Sequence, residues 1–151
     1  MNRISDKRLT GLNYWEKLSE LHLYSQERRR ERYQVIFLWK ISQRMVFGYS
    51  VDFSYDGRRG RSIVPKNVVR SAPTMVRHAR EQSLGVRGAA LFNLLPEQLR
   101  SMNSEHVDLF KNHLDVFLSS IPDQPTMPGL GRAAATNSLL DQLPVFNNQT
   151  K

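Results

Sequence analysis

The chain of 151 residues suits one domain of ordinary size, or a helical unit with a tail. Its 40% apolar residues contain no run near the roughly 18 needed to cross a bilayer, and no basic amphipathic helix with a lipid-facing rim stands out, so no membrane partner is expected. Cysteine is absent, which excludes a disulfide scaffold, a cysteine nucleophile and thiolate metal sites. Lysine and arginine number 22 against 14 acidic residues, a balance of +8. Residues 1–100 hold 19 of the basic and 9 of the acidic residues, a balance of +10, so the basicity belongs to the first two thirds. A basic region this lopsided most often meets nucleic acid and less often an anionic membrane. Arg3, Lys7 and Arg8 are followed by no hydrophobic stretch, so the chain is read as intracellular rather than secreted, with nucleus and cytoplasm equally open.

The elements are predicted in four stretches. In residues 1–47, Asn13 caps a short helix over Tyr14–Leu23, and Ser25 caps a longer one through about Val46. Tyr33, Ile36, Phe37, Ile41 and Met45 recur at helical steps on that longer helix and predict its apolar face, widened by Leu38 and Trp39. Residues 48–93 predict a basic loop and a small antiparallel hairpin. Val51, Phe53 and Tyr55 alternate with polar residues, and Asp56-Gly57 signals a turn. The runs at 62–64, 68–69, 83–87 and 90–92 read as further short extended pieces. In residues 94–121, Pro96 opens a short helix over about 97–102, and Ser104 caps a helix through about Ser119. That last helix has Val107, Phe110, Leu114, Phe117 and Leu118 as its seam. Residues 122–151, rich in Pro, Gly, Ala and Asn, read as a mobile tail with one helical turn at most, around Ser138–Gln142. The predicted class is mainly α, with a small antiparallel hairpin and a mobile C-terminal tail.

The strongest candidate chemistry is Glu27-Arg28-Arg29-Arg30-Glu31-Arg32, where the longest helix begins. Arg28 and Arg32 lie one turn apart, a spacing that can track phosphates. The plain alternative is a solvated face with pairs at helical spacing. Those pairs contribute only about 0.2–0.5 kcal/mol each. Cations at a helix N-terminus also oppose the macrodipole, so the run favours an anionic partner. A second group, Arg58, Arg59, Arg61 and Lys66, lies near Tyr49, Phe53 and Tyr55. Arginine among aromatics suits single strands, while charges on an edge hairpin equally deter aggregation. Arg70, Arg77, His78, Arg80 and Arg87 have no period and read as surface charge.

Catalysis is not expected. His106 and His113 are seven apart, not the three or four that bring two metal ligands together. No nucleophile elbow and no phosphate-cradling glycine loop is present, and neither a cofactor nor a metal is implied.

Taken together, Leu12–Leu18, Leu21–Tyr33 and Trp39-Lys40-Ile41, followed by Val86-Arg87-Gly88, Leu91–Arg100, Phe110-Lys111 with Leu114, and Asn137–Gln142, resemble the end of the open reading frame of jockey-like non-LTR retrotransposons. The resemblance runs in order over about residues 6–142. It implies the thumb and post-polymerase region of a reverse transcriptase, without the palm and its Tyr-x-Asp-Asp signature, so no catalytic residue carries over. The first helices then form a thumb-like unit gripping template–primer nucleic acid (RNA, DNA or a hybrid) by its phosphates. Arg28, Arg29, Arg30 and Arg32 are the expected contacts, with Arg58, Arg59, Arg61 and Lys66 as the second group. The rest of a reverse transcriptase is a further implied partner. The alternatives are a module that docks onto a polymerase body and a mobile-element remnant without function.

Overall fold

Side-chain caps start the first two helices where their chemistry dictates. Asn13 and Glu16 form a reciprocal capping box: the Glu16 amide donates to Asn13 Oδ1 at 2.9 Å and the Asn13 amide to Glu16 Oε2 at 2.7 Å. Ser25 Oγ accepts from the Arg28 amide at 3.1 Å. A computed structural model describes residues 7–56, 60–65, 73–125 and 137–143. A short 3-10 turn at Lys7–Leu9 precedes helices α1 (Tyr14–Glu20) and α2 (Gln26–Ser42). Strands β1 (Phe53–Asp56) and β2 (Gly60–Ile63) follow, then α3 (Thr74–Glu81) and a π-helical turn at Leu84–Gly88. The chain continues through α4 (Ala89–Leu94), α5 (Glu97–Arg100) and α6 (Val107–Ser119). The protein is thus mainly helical with one antiparallel hairpin, as its sequence predicts.

Both opening helices stop earlier than predicted, and by the same device. Leu23 N donates to Leu18 O at 2.9 Å and His22 N to Ser19 O at 3.1 Å, which closes α1. Met45 N donates to Lys40 O at 2.9 Å and Arg44 N to Ile41 O at 3.0 Å, which closes α2. These are Schellman closures, and they put His22 (φ 52°) and Arg44 (φ 59°) in the left-handed region that glycine usually fills.

The apolar face of α2 is rotated from the predicted one. Val35, Ile36, Leu38, Trp39 and Ile41 are buried, together with Arg28 and Glu31. Tyr33 is 64% exposed, and Phe37 and Met45 also face solvent. The stripe at 28, 31, 35 and 38–39 carries two charged residues at its head, which hides it from a reading of hydropathy alone.

Trp39 anchors this face. Its ring stacks on Phe110 of α6 at 4.5 Å and 8°, and its Nε1 donates to Met102 O at 3.1 Å. Phe110, Leu114 and Leu118 form the buried seam of α6, with Val107 and Phe117 packed beside it, as predicted. The helix begins at Val107, and Ser104 Oγ accepts from the His106 amide just before it.

The hairpin pairs Phe53 with Ile63 and Tyr55 with Arg61. Two side chains fasten its inner strand to the helices. Asn93 of α4 mimics a neighbouring strand, accepting from Ile63 N and donating to Ile63 O, each at 2.8 Å. Arg100 of α5 donates to Arg61 O and, at 2.9 Å, to Ser62 Oγ. The extended pieces predicted over 83–92 are helical instead. Gly88 packs this segment tightly: a Cβ there would lie 2.9 Å from Leu84 Cδ1 and 3.0 Å from Leu38 Cδ1 of α2. The run at 68–69 lies outside the described residues.

The helical turn expected around Ser138–Gln142 is present over 139–143, and it is packed rather than loose, contributing Leu139 and Leu143 to the core. The core therefore draws on all four predicted stretches. Leu139→Ala should lower unfolding free energy by about 2–5 kcal/mol in urea titration, the usual cost of truncating a buried leucine. Val116→Ala, on the exposed side of α6, should stay within about 0.5 kcal/mol.

Candidate nucleic-acid interface

Four arginines in five positions open α2, and the helix divides them between interior and solvent. Arg28 is wholly buried. Its Nη2 donates to Pro122 O at 3.1 Å and to Gln142 Oε1 at 2.6 Å, and its Nε lies 3.8 Å from Asp123 Oδ1. Burial holds its pKa below the usual arginine value, and Asp123 opposes that shift. The expectation that Arg28 meets phosphate is therefore corrected: its charge is spent inside the fold. Arg32 has a bidentate partner, with Nε and Nη2 at 2.5 and 2.6 Å from the two carboxylate oxygens of Asp115. It remains partly exposed at the edge of the face. Arg29 and Arg30 are exposed, and Arg29 Nε donates to Tyr24 O at 3.1 Å.

Of the two acids of the run, Glu31 turns inward and Glu27 stays half-exposed. Glu31 is buried and accepts from Ser138 Oγ at 2.6 Å, Arg87 Nη2 at 2.8 Å and the Leu139 amide at 2.9 Å. Glu27 accepts from the Asn137 amide at 3.1 Å and lies 3.8 Å from Arg87. Asn137 in turn bonds Ser25 Oγ and Asp123, and Gln142 Nε2 donates to Asn137 Oδ1 at 2.6 Å. Arg87, read from sequence as surface charge, is thus part of this network. Residues 137–142 supply much of the polar lining that two buried charges demand.

With Glu31 buried and Glu27 tied to Asn137 and Arg87, the side of α2 away from them is cationic and aromatic. Arg30, Tyr33, Phe37 and Lys40 follow one another at steps of three and four, which places them on one side of the helix. Arg29 joins them one turn before Tyr33. Arg44 follows one helical step beyond Lys40, just past the end of the helix, and is exposed. The stretch from Arg30 to Lys40 spans about 15 Å along the axis. Tyr49 meets the Phe37 ring edge-on at 6.0 Å. Tyr33, Phe37 and Lys40 line a shallow cleft with Leu84. Sequence reasoning placed Tyr33 and Phe37 in the core and singled out neither Lys40 nor Arg44. The missed signal was the spacing of Lys40 and Arg44 from Arg30.

Of the second group, Arg61 lies across from Tyr55, its guanidinium 3.7 Å above the Phe53 ring. Arg58, Arg59 and Lys66 lie outside the described residues. In the third, Arg77 and His78 lie 3.8 and 3.5 Å from Glu81. Among the described residues there is no cluster of metal-ligating side chains and no helix long and apolar enough to cross a membrane. No family model, no curated protein and no solved structure matches the chain.

Arg28→Ala should cost about 3–5 kcal/mol in chemical unfolding, because it leaves buried partners uncompensated. Arg30→Ala should stay within about 0.5 kcal/mol. Burial also raises the Glu31 carboxyl above its ordinary value, against the Ser138 hydroxyl, the Leu139 amide and Arg87. A raised acid stabilises the fold most below its unfolded pKa, and that contribution is lost as pH rises through the folded pKa. The stability of the native chain relative to Glu31→Gln should therefore fall as pH climbs from about 4.5, the ordinary carboxyl value. Parallel urea titrations of the two proteins across pH measure this directly.

Proposed function

We propose that the chain binds the sugar–phosphate backbone of a template–primer duplex through the outer face of α2. It does so without sequence preference and has no catalysis of its own. The observation that carries this reading is the sorting of charge on one helix: Glu31 is buried and half-exposed Glu27 is tied to Asn137 and Arg87, while Arg29 and Arg30 are exposed on the side of Tyr33 and Phe37, with half-buried Lys40 beside them. Phosphate contacts of this kind fix register and orientation and do not read bases. The reading fits the thumb and post-polymerase end of a jockey-like retrotransposon reverse transcriptase, the family that the sequence resembles. It moves the grip away from Arg28 and toward Lys40 and Arg44.

A second reading, docking onto a polymerase body, is favoured by the Phe47 ring, which is wholly exposed just beyond α2, and by Met75 at 86% exposure on α3. In that case the free chain self-associates until such a body is supplied.

Gel-shift titration of a primed RNA template over a salt series tests the first reading. With about four phosphates neutralised by Arg29, Arg30, Lys40 and Arg44, log affinity should fall against log salt with a slope near −3.6. That is about a 150-fold loss between 50 and 200 mM salt. Arg29→Gln with Arg30→Gln should halve the slope while leaving the circular dichroism unchanged. Absent binding, or binding indifferent to salt, refutes the proposal.

A further inference from the structure

The outer face of α2 ends at Arg44, and Arg44 opens onto a second feature. A trough of about 670 Å³ runs between the end of α2, the hairpin and the 103–105 loop. Its wall carries two arginines, Arg44 and Arg61, and the ring of Tyr55, which is 75% exposed. Tyr55 and Arg61 are directly paired across the hairpin, so their side chains stand together on one face. Arg61 is held by the Phe53 ring beneath it, and its buried Nε has no hydrogen-bond partner among the described residues. Arg44 is held in the left-handed conformation that a side chain rarely adopts, which fixes the direction in which it leaves the chain. Glu105 also lines the trough, so a free phosphate dianion is a poor occupant. A phosphodiester carrying one charge, joined to a flat base, matches two guanidinium groups beside an open aromatic ring.

We infer that this trough takes an unpaired nucleotide at the end of the duplex, with its base on Tyr55 and its phosphodiester between Arg44 and Arg61. The inference rests on the reading of α2 as a backbone grip and extends it from the paired to the unpaired part of the same strand. It gives Tyr55 a role that the hairpin's own stability does not require.

Fluorescence anisotropy on the whole chain tests it with two probes: a blunt RNA–DNA hybrid, and the same hybrid with a four-nucleotide single-stranded overhang. The overhang should tighten binding about tenfold, the usual worth of one stacked base. Tyr55→Ala should abolish that gain and leave the blunt-ended affinity unchanged, whereas Tyr55→Phe should retain it. Equal affinity for the two probes, or a gain that survives Tyr55→Ala, overturns the trough while the grip by α2 stands. Binding of the overhang probe alone, lost in Tyr55→Ala, supports the trough and removes the duplex reading. Binding of neither probe overturns both.

Discussion

Arg28 and Glu31 lie one turn apart on the same face of α2, and the fold buries both. Taking two charges out of water costs several kcal/mol each, and neither is the other's hydrogen-bond partner. The cost is offset by groups distant in sequence: Pro122 O and Gln142 for Arg28, and Ser138, Leu139 N and Arg87 for Glu31. The position of α2 therefore depends on residues 137–142 as much as on its own apolar stripe. The same arrangement sets what the helix shows to solvent. An acid used to line the interior is an acid removed from the surface: Glu31 is buried and half-exposed Glu27 is tied to Asn137 and Arg87, which leaves the opposite side of the helix basic.

The helix ends extend this logic. Closing α2 at Ser42 rather than near Val46 requires a left-handed residue, and the sequence supplies Arg44 in a position where glycine costs less. A non-glycine residue in that region costs about 1–2 kcal/mol. The compensation is local: the closure satisfies the carbonyls of Lys40 and Ile41. It also turns the chain toward the hairpin, whose inner strand is fastened by Asn93 and Arg100. The exposed face of α2 and the trough thus share a residue that belongs to both.

Much of the fold was legible in the sequence because local chemistry decides it. Asn13, Ser25 and Pro96 mark helix starts whatever the tertiary context, the seam of α6 has an uninterrupted helical period, and alternation marks the hairpin. Three features were not legible, each for a physical reason. The buried face of α2 opens with Arg28 and Glu31, and a charge is buried only where a distant segment supplies its partners, which no local pattern records. The 84–94 segment has short apolar runs that read equally as strand or helix until Gly88 is seen against Leu38. Residues 137–142 hold four polar residues around Leu139 and Leu140 and follow a Pro- and Gly-rich stretch, so they have the composition of a tail, yet their polar groups are what the buried charges of α2 require. Of the candidate site, Arg29 and Arg30 were readable. Lys40 and Arg44 were obscured because Tyr33 and Phe37, their neighbours on the same face, look like core residues.

Formal charge is consequently a poor guide to the field around this protein. Six basic residues lie between positions 28 and 44, and their sum treats them alike. Arg28 is compensated inside the network and Arg32 is paired to Asp115, so neither projects much potential beyond the surface. Arg29, Arg30 and Lys40 remain on the helix and Arg44 just past its end, on the side away from buried Glu31. Exposed charges act over roughly a Debye length, about 8 Å at physiological salt, so their sign is felt close to the surface. A polyanion approaching α2 meets a cationic strip, and steering by such a strip raises the rate of encounter before any contact forms. The interior pairs thus act on association indirectly: they contribute little to the field themselves, but they determine which charges are left to make it.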